Sequence, residues 1–264
     1  MIKEKIKQIA QNAKTASRKM GGVNSKIKND ALLKMADDLI ANTDQLVKAN
    51  LKDLEFAKQK GLSSAMQERL MLNKERIEKM ADSLREVALL TDPVGEIVKM
   101  WRRPNGLQVG RIRTSIGVIG IIYESRPNVT VDAASLCLKS GNAVILRGGS
   151  EAINTNIALA NMLIKTAKES GLPEKALQLI DITDRTAVHE LLKMDEYIDL
   201  IIPRGGHALI RTVVENSSIP VIKHDKGLCH VYIDSEADLK MGEEIAFNAK
   251  TQRPSVCNAM ETLL

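Results

Sequence analysis

Residues 141–152 read Gly141-Asn142-Ala143-Val144-Ile145-Leu146-Arg147-Gly148-Gly149-Ser150-Glu151-Ala152. A short apolar run typical of a buried strand leads into a Gly-Gly turn, and the turn leads into a helical pattern over 151–170. Parallel strands need such a crossover, because the chain must return to the other end of the sheet before the next strand begins. The segment therefore predicts an α/β fold.

The same alternation of strand and helix continues on both sides of this segment. The predicted strands are 117–123, 143–146, 177–180, 198–202, 220–222 and 230–233. The predicted helices between them are 131–139, 151–170, 185–193 and 207–216. This order implies right-handed crossovers and a doubly wound, mostly parallel, Rossmann-like sheet with helices on both faces. We assign this core to residues 117–236.

Residues 1–116 are predicted to be helices followed by a protruding β hairpin. The helical segments are 1–20, 29–60 and 73–90, and the hairpin strands are 96–101 and 107–113. Lysine is frequent in the first thirty residues, which raises the alternative of nucleic-acid binding. We favour a solvated amphipathic helix, because an apolar stripe runs through the same segment at helical spacing: Ile2, Ile6, Ile9, Ala13, Ala16 and Met20.

Composition limits the class of protein. The chain has 264 residues, a net charge of +5, and only one Trp, three Tyr and two Phe, so the core must be aliphatic and base-stacking platforms are not expected. Three widely spaced cysteines and four unpatterned histidines form neither a disulfide framework nor a metal motif. No targeting or membrane-spanning segment is expected, and a cytoplasmic location fits the free cysteines best.

A second distinctive segment lies near the end of the chain, and we assign residues 237–264 to the start of a further domain. It reads Asn248-Ala249-Lys250-Thr251-Gln252-Arg253-Pro254-Ser255-Val256-Cys257-Asn258-Ala259-Met260-Glu261. Arg253 and Lys250 precede Cys257 closely, and positive charge favours the thiolate that attacks carbon. Cys257 is therefore a candidate nucleophile, although a buried free cysteine that acts as a small hydrophobe is the alternative.

Two turns are candidates for ligand binding, because each leaves a strand and enters a helix. The first is Arg147-Gly148-Gly149-Ser150, in which Arg147 offers a forked cation to a phosphate and Ser150 can cap the helix. The second is Pro203-Arg204-Gly205-Gly206, which leads into a helix at His207. Ligands of doubly wound sheets gather at such strand ends. The alternative is that both are ordinary strand-to-helix turns.

Together, the segments 121–130, 141–152 and 248–262 resemble those of the γ-glutamyl phosphate reductases, within the aldehyde dehydrogenase superfamily. The resemblance implies an aldehyde-dehydrogenase-like fold that binds NADP. The turn at Arg147, Gly148, Gly149 and Ser150 would hold the adenosine ribose and its 2′-phosphate. The turn at Pro203, Arg204, Gly205 and Gly206 would hold the pyrophosphate and nicotinamide. Ser255 stands where we expect glycine in this family.

The resemblance also implies a reaction, namely reduction of L-glutamyl 5-phosphate to L-glutamate 5-semialdehyde with NADPH in proline biosynthesis. Cys257 would be the nucleophile, Asn128 would stabilise the oxyanion, and Arg126 and Arg253 would bind the substrate. The segment 221–227 lacks the glutamate with which hydrolytic members activate water. The alternatives are another acyl-reducing member, such as a CoA-acylating aldehyde dehydrogenase, and a non-catalytic dinucleotide-binding module.

Three further expectations concern partners and completeness. In relatives of this fold a β segment like 94–113 joins subunits, so a homo-oligomer is expected. A functional association with glutamate 5-kinase is expected as well. Because the family continues beyond the length of this chain, we expect only the start of the catalytic domain here and a fragment that is inactive alone.

Overall fold

Buried apolar strands after residue 117 form a four-stranded parallel sheet in the computed structural model, which describes residues 1–124, 126–224, 227–254 and 256–264. The strands of the chain are β1 Ile97–Arg102, β2 Gln108–Ile112, β3 Val118–Tyr123, β4 Ala143–Arg147, β5 Leu177–Leu179, β6 Leu200–Arg204, β7 Cys229–Val231 and β8 Met260–Leu263. The sheet has the order β5-β4-β3-β6, and all of its pairs are parallel. The predicted parallel sheet is confirmed.

The helices cover both faces of this sheet. They are α1 Ile2–Met20, α2 Ser25–Ala41, α3 Thr43–Gln59, α4 Ser64–Leu70, α5 Lys74–Leu89, α6 Asn128–Lys139, α7 Ile153–Glu169, α8 Thr186–Leu191, α9 His207–Asn216 and α10 Leu239–Thr251. Alternate residues of β3 enter different cores: Ile119 and Ile121 pack with α2, α5, α6 and α7, whereas Val118 and Ile122 pack with α1 and α8. The doubly wound arrangement predicted from the sequence is therefore present.

The first helix buries most of its predicted stripe, whereas Ile2 and Ile9 at its start are only half-buried. Ile6, Ala10, Ala13, Ala16 and Met20 are buried, and the lysines lie on the opposite side or pair with carboxylates. Lys14, for example, pairs with Asp199 at 2.7 Å. The amphipathic interpretation of this segment is confirmed by this packing.

The predicted single helix over 29–60 is wrong, because the chain forms α2 and α3 with a break at Asn42. The side chain of Asn42 donates to the carbonyl of Asp38 at 2.7 Å, and the hydroxyl of Thr43 donates to the carbonyl of Ile40 at 2.8 Å. These bonds satisfy the last carbonyls of α2 and end it. Helix α4 was not predicted at all.

The predicted strand 220–222 is reduced to one bridge between Val221 and Ile201. The β1–β2 hairpin is confirmed as antiparallel, and nearly all of its residues are exposed. Among the helices in the described ranges, none is both long and apolar enough to cross a membrane.

The chain divides into two units, residues 1–223 and residues 224–264. This division lies upstream of the boundary that we expected at residue 236. Within the second unit, β7 pairs with β8 in parallel and α10 packs against β8. Asp238 caps α10 by accepting a hydrogen bond from the amide of Met241 at 3.0 Å, as its position before an apolar periodic segment indicates.

Candidate cofactor and nucleophile sites

Three neighbouring strands of the sheet end at the same edge. Ile122 is paired with Arg147, and Tyr123 is paired with Arg204, so the ends of β3, β4 and β6 lie side by side. The chain runs from β3 outward to β4 and β5, and then crosses to the other side of β3 to form β6. This is a topological switch point between β3 and β6, where doubly wound sheets bind ligands. Both predicted turns lie at this edge.

The first turn is built around a buried arginine. Arg147 is 9% exposed, and its Nη2 atom donates to the carbonyl of Thr183 at 3.1 Å. Its Nε atom is buried without a hydrogen-bond partner in the part of the chain that the structure describes. Burial lowers the pKa of the Arg147 guanidinium, and the negative charge of Glu151 opposes that shift. An acceptor that reached Nε would therefore satisfy a donor that the protein leaves unpaired.

Gly148 is required by a buried polar network behind the turn. The hydroxyl groups of Tyr123 and Thr130 lie 2.7 Å apart, and Thr130 donates to Oδ1 of Asn156 at 3.0 Å. A β-carbon on Gly148 would overlap the Asn156 amide, so the turn can approach this network only with glycine. Burial raises the pKa of Tyr123 to about 12.

The predicted cap by Ser150 is wrong, because Ser150 is exposed and begins a short 3₁₀ turn over Ser150–Ala152. The cap of α7 comes instead from Asp53 on α3. Asp53 accepts hydrogen bonds from the backbone amides of Asn154 at 3.1 Å and Thr155 at 2.8 Å, and from both of their side chains. The carboxylate is 1% exposed. A residue a hundred positions away thus fixes the helix that follows the first turn.

The second turn presents its backbone amides at the start of α9. Pro203 is buried, Arg204 is exposed, and Gly206 is the N-cap residue of α9. The amide of Gly206 donates to Oε2 of Glu124 at 2.7 Å, and Glu124 directly follows β3. The turn therefore holds an anionic group in this structure, and the group is the protein's own carboxylate.

Asn128 lies near this edge, as the first residue of α6, and is exposed. Its Nδ2 atom donates to Oδ2 of Asp132, one turn further along the helix, at 2.9 Å. Because a carboxylate only accepts, this bond orients the amide, and among the residues that the structure describes Asp132 accepts only one of its two N–H groups. Burial raises the pKa of Asp132, while the bond from Asn128 opposes that shift. Arg126 is half-buried and precedes α6.

Cys257 lies in the second unit, in the turn that follows α10, and its side chain is exposed. The thiol of Cys229 donates to the backbone carbonyl of Cys257 at 3.3 Å. The ammonium of Lys250 donates to the carbonyl of Met260 at 3.0 Å, and Arg253 is exposed. The alternative of a buried hydrophobic cysteine does not fit this exposure, whereas it fits Cys137, whose pKa burial raises to about 12.

Four residues of the segments considered in the sequence lie outside the residues that the structure describes: Ser125, Asp225, Lys226 and Ser255. Within unit 1, the structure brings the two turns together at one edge, with Arg126 and Asn128 following the neighbouring β3. Four residues of the site were not predicted from the sequence: Glu124, Asp53, Asp132 and Glu151. A polar residue directly after a buried strand is a usable signal for Glu124, but Asp53 has no local signal.

Comparison with known proteins identifies the class. The sequence profile described as the aldehyde dehydrogenase family matches residues 1–264. The chain belongs to this family. It is 59% identical, over all of its length, to a protein of Geobacter metallireducens named gamma-glutamyl phosphate reductase. The chain spans 63% of that relative.

Solved structures agree in fold. A gamma-glutamyl phosphate reductase from Thermotoga maritima superposes with a TM-score of 0.92 at 42% identity, covering 98% of this chain and 62% of that one. The protein of the same name from Saccharomyces cerevisiae gives a TM-score of 0.77 at 39% identity, covering 97% and 64%. The predicted aldehyde-dehydrogenase-like α/β fold is confirmed.

Proposed function

We propose that this chain carries the dinucleotide-binding core and the nucleophile of an NADPH-dependent reductase that converts L-glutamyl 5-phosphate to L-glutamate 5-semialdehyde in proline biosynthesis. The similarity to gamma-glutamyl phosphate reductases at 59% identity over the whole chain carries this proposal. The exposed Cys257 and the two glycine turns at one sheet edge supply the chemistry that such a reaction needs.

In this mechanism the thiolate of Cys257 attacks the acyl carbon, the bond from carbon to the phosphate oxygen breaks, and phosphate leaves as a thioester forms. NADPH, when bound, supplies the hydride that reduces the acyl group. The thiolate of Cys257 is then released as the leaving group of the aldehyde product. The side-chain amide of Asn128, which Asp132 orients, is our candidate donor to the developing oxyanion.

The residues of the two turns fit a phosphorylated dinucleotide. The buried Nε atom of Arg147 lacks a partner in the described part of the chain, and Gly148 and Gly149 add no side chain of their own to the turn. Arg147 and Ser150 would hold the adenosine ribose with its 2′-phosphate. Pro203, Arg204, Gly205 and Gly206 would hold the pyrophosphate and nicotinamide, because the start of α9 offers amides and a positive dipole end.

The Arg147 assignment predicts cofactor preference. We expect the chain to bind NADPH about tenfold or more tightly than NADH, because a guanidinium forms charge-assisted bonds with a phosphate. The Arg147→Met variant should lose most of this preference and keep its affinity for NADH. Calorimetric titration of both cofactors measures it, and Arg211→Met on the exposed face of α9 is the matched control. Equal affinities in the parent chain would contradict the assignment.

Arg126 and Arg253 are our candidates for binding the phosphate and carboxylate groups of the substrate, since paired charges of this kind recognise such anions. Both have polar interactions in the structure, so substrate binding would exchange one set of partners for another. These roles rest on the family resemblance together with their positions beside Asn128 and Cys257 in the sequence.

An assay of the complete enzyme tests the proposed substrate. L-glutamyl 5-phosphate with NADPH should give glutamate 5-semialdehyde and phosphate, whereas an acyl-CoA with NADPH should give no turnover. Faster reduction of an acyl-CoA would favour the CoA-acylating alternative. Dinucleotide binding without reduction of either donor would favour a non-catalytic module. The 264-residue chain alone should be nearly inactive, since it spans only 63% of its relative.

The hairpin predicts self-association. Met100 on β1 and Ile112 on β2 are exposed on one face of the ribbon and Trp101 is exposed on the other face, and we propose that this ribbon joins subunits. Met100→Lys together with Ile112→Lys should convert an oligomer to monomers in analytical ultracentrifugation. Lys substitutions at the exposed Leu33 and Leu51 are the control. A monomeric parent chain would contradict the proposal.

The association with glutamate 5-kinase and the cytoplasmic location stay predictions from the sequence.

A further inference from the structure

Each glycine turn at the sheet edge is covered by a glutamate side chain. At the second turn, Oε2 of Glu124 accepts from the amide of Gly206 at 2.7 Å, and a β-carbon on Gly205 would lie 2.6 Å from the same oxygen. At the first turn, a β-carbon on Gly149 would overlap the carboxylate of Glu151. The space that the missing glycine side chains leave is thus filled, at both turns, by a carboxylate.

These two carboxylates differ from the one at the start of α7. Asp53 is buried, accepts four hydrogen bonds and caps its helix as part of the core. Glu124 is exposed and Glu151 is half-buried, and both lie directly beside the turn glycines. Asp53 therefore serves the fold, whereas the two glutamates occupy surface that a bound ligand would need. Moving an exposed carboxylate into water exchanges a protein donor for a solvent donor at modest cost.

The position of each glutamate assigns it to a different part of the dinucleotide. Glu124 lies at the switch point between β3 and β6, where the pyrophosphate of the proposed cofactor would bind, and NADH and NADPH share that group. Glu151 fills the space beside Gly149, two residues after Arg147 in the same turn, and we assign Arg147 to the 2′-phosphate. Only NADPH carries the 2′-phosphate.

We propose that Glu124 and Glu151 are internal competitors of the cofactor's two phosphate groups, and that they set its affinity and selectivity. The proposal rests on the proposed NADPH function and deepens it. Glu124 competes with the pyrophosphate for the amides of the second turn. Glu151 competes with the 2′-phosphate for Arg147. Both carboxylates must turn away before a phosphorylated dinucleotide occupies the edge.

Calorimetric titration of the 264-residue chain with NADPH and with NADH tests this proposal, because the two variants should differ in pattern. Glu124→Gln should tighten both cofactors by roughly tenfold, about 1.4 kcal/mol. Glu151→Gln should tighten NADPH by a similar factor and leave NADH unchanged. Glu215→Gln removes the same charge at an exposed position of α9, in an ion pair with Arg211, and should change neither affinity. Thermal unfolding of each variant checks the fold.

The outcomes separate this proposal from the function on which it rests. If the parent chain and all variants bind neither dinucleotide, the cofactor assignment fails and the competition fails with it. If the parent chain prefers NADPH but neither glutamine variant changes any affinity, only the competition is overturned. Weaker binding in Glu124→Gln would also overturn it, because the carboxylate would then be a ligand of the cofactor. If Glu215→Gln tightened cofactor binding as much as the other two variants, the loss of one negative charge anywhere on the chain would explain the gains in affinity, and the competition would be overturned.

Discussion

Replacement of Cys257 by serine is expected to lower the rate of acyl phosphate reduction by about a thousandfold or more, because a serine hydroxyl is a far weaker nucleophile than a thiolate. The side chain of Cys257 is exposed, so the loss cannot be attributed to a collapsed core. The measurement is NADPH oxidation by the complete enzyme with saturating L-glutamyl 5-phosphate. NADPH binding by the 264-residue chain should be unchanged, since the predicted cofactor turns lie in the other unit.

Two controls make the Cys257 result specific. Cys229→Ser keeps a donor to the Cys257 carbonyl and should change the rate by less than about threefold, since it alters no reacting atom. Alkylation followed by peptide mass mapping should label Cys257 before Cys229, and Cys137 should stay unlabelled until the chain unfolds because it is buried. Residual turnover of Cys257→Ser near the rate of the parent enzyme would place the nucleophile elsewhere.

Local sequence pattern was sufficient for the four strands of the parallel sheet, although it also predicted a strand over 220–222 that is only one bridge. The run 143–147 is buried throughout, and a Gly-Gly turn follows it, so strand and turn were both predictable from a few residues. The hairpin was predictable for the same reason, from Asn105 and Gly106. In contrast, the helix break at Asn42 depends on two side chains that bond back to α2, and helical periodicity continues across it.

The places of the site residues at the strand ends were predictable from the sequence, but the groups that these residues contact were not. The sequence indicated that Arg147 and Gly206 would lie at strand ends. The parallel register places the strands that precede them, β4 and β6, on either side of β3. It could not show that Arg147 is buried beside Thr183, or that Glu124 occupies the second turn. Such contacts depend on side-chain rotamers and on packing between elements far apart in the chain, which no local period encodes.

Asp53 is the clearest example of a residue that only the tertiary structure explains, and its removal should have the largest effect on stability. Asp53→Ala would leave the amide and hydroxyl of Thr155, which are fully buried, without their acceptor, together with the amide of Asn154. Each unsatisfied buried donor costs roughly 1–3 kcal/mol, so the free energy of unfolding should fall by about 3–4 kcal/mol. Urea denaturation measures this loss as a lower midpoint with an unchanged slope.

The same substitution should also weaken cofactor binding, because Asp53 fixes the start of α7, which is separated from the turn at Arg147, Gly148 and Gly149 only by the short 3₁₀ turn Ser150–Ala152. We expect Asp53→Ala to weaken NADPH binding at a temperature where the variant is still folded. Asp53→Asn keeps one acceptor oxygen, so its affinity for NADPH should lie between those of the parent chain and Asp53→Ala. Asp37→Ala removes an exposed carboxylate that pairs with Arg85 and should cost less than about 1 kcal/mol. If Asp53→Ala cost no more than this control, the four hydrogen bonds to α7 would be of little consequence, and the first turn would have to be held by the sheet alone.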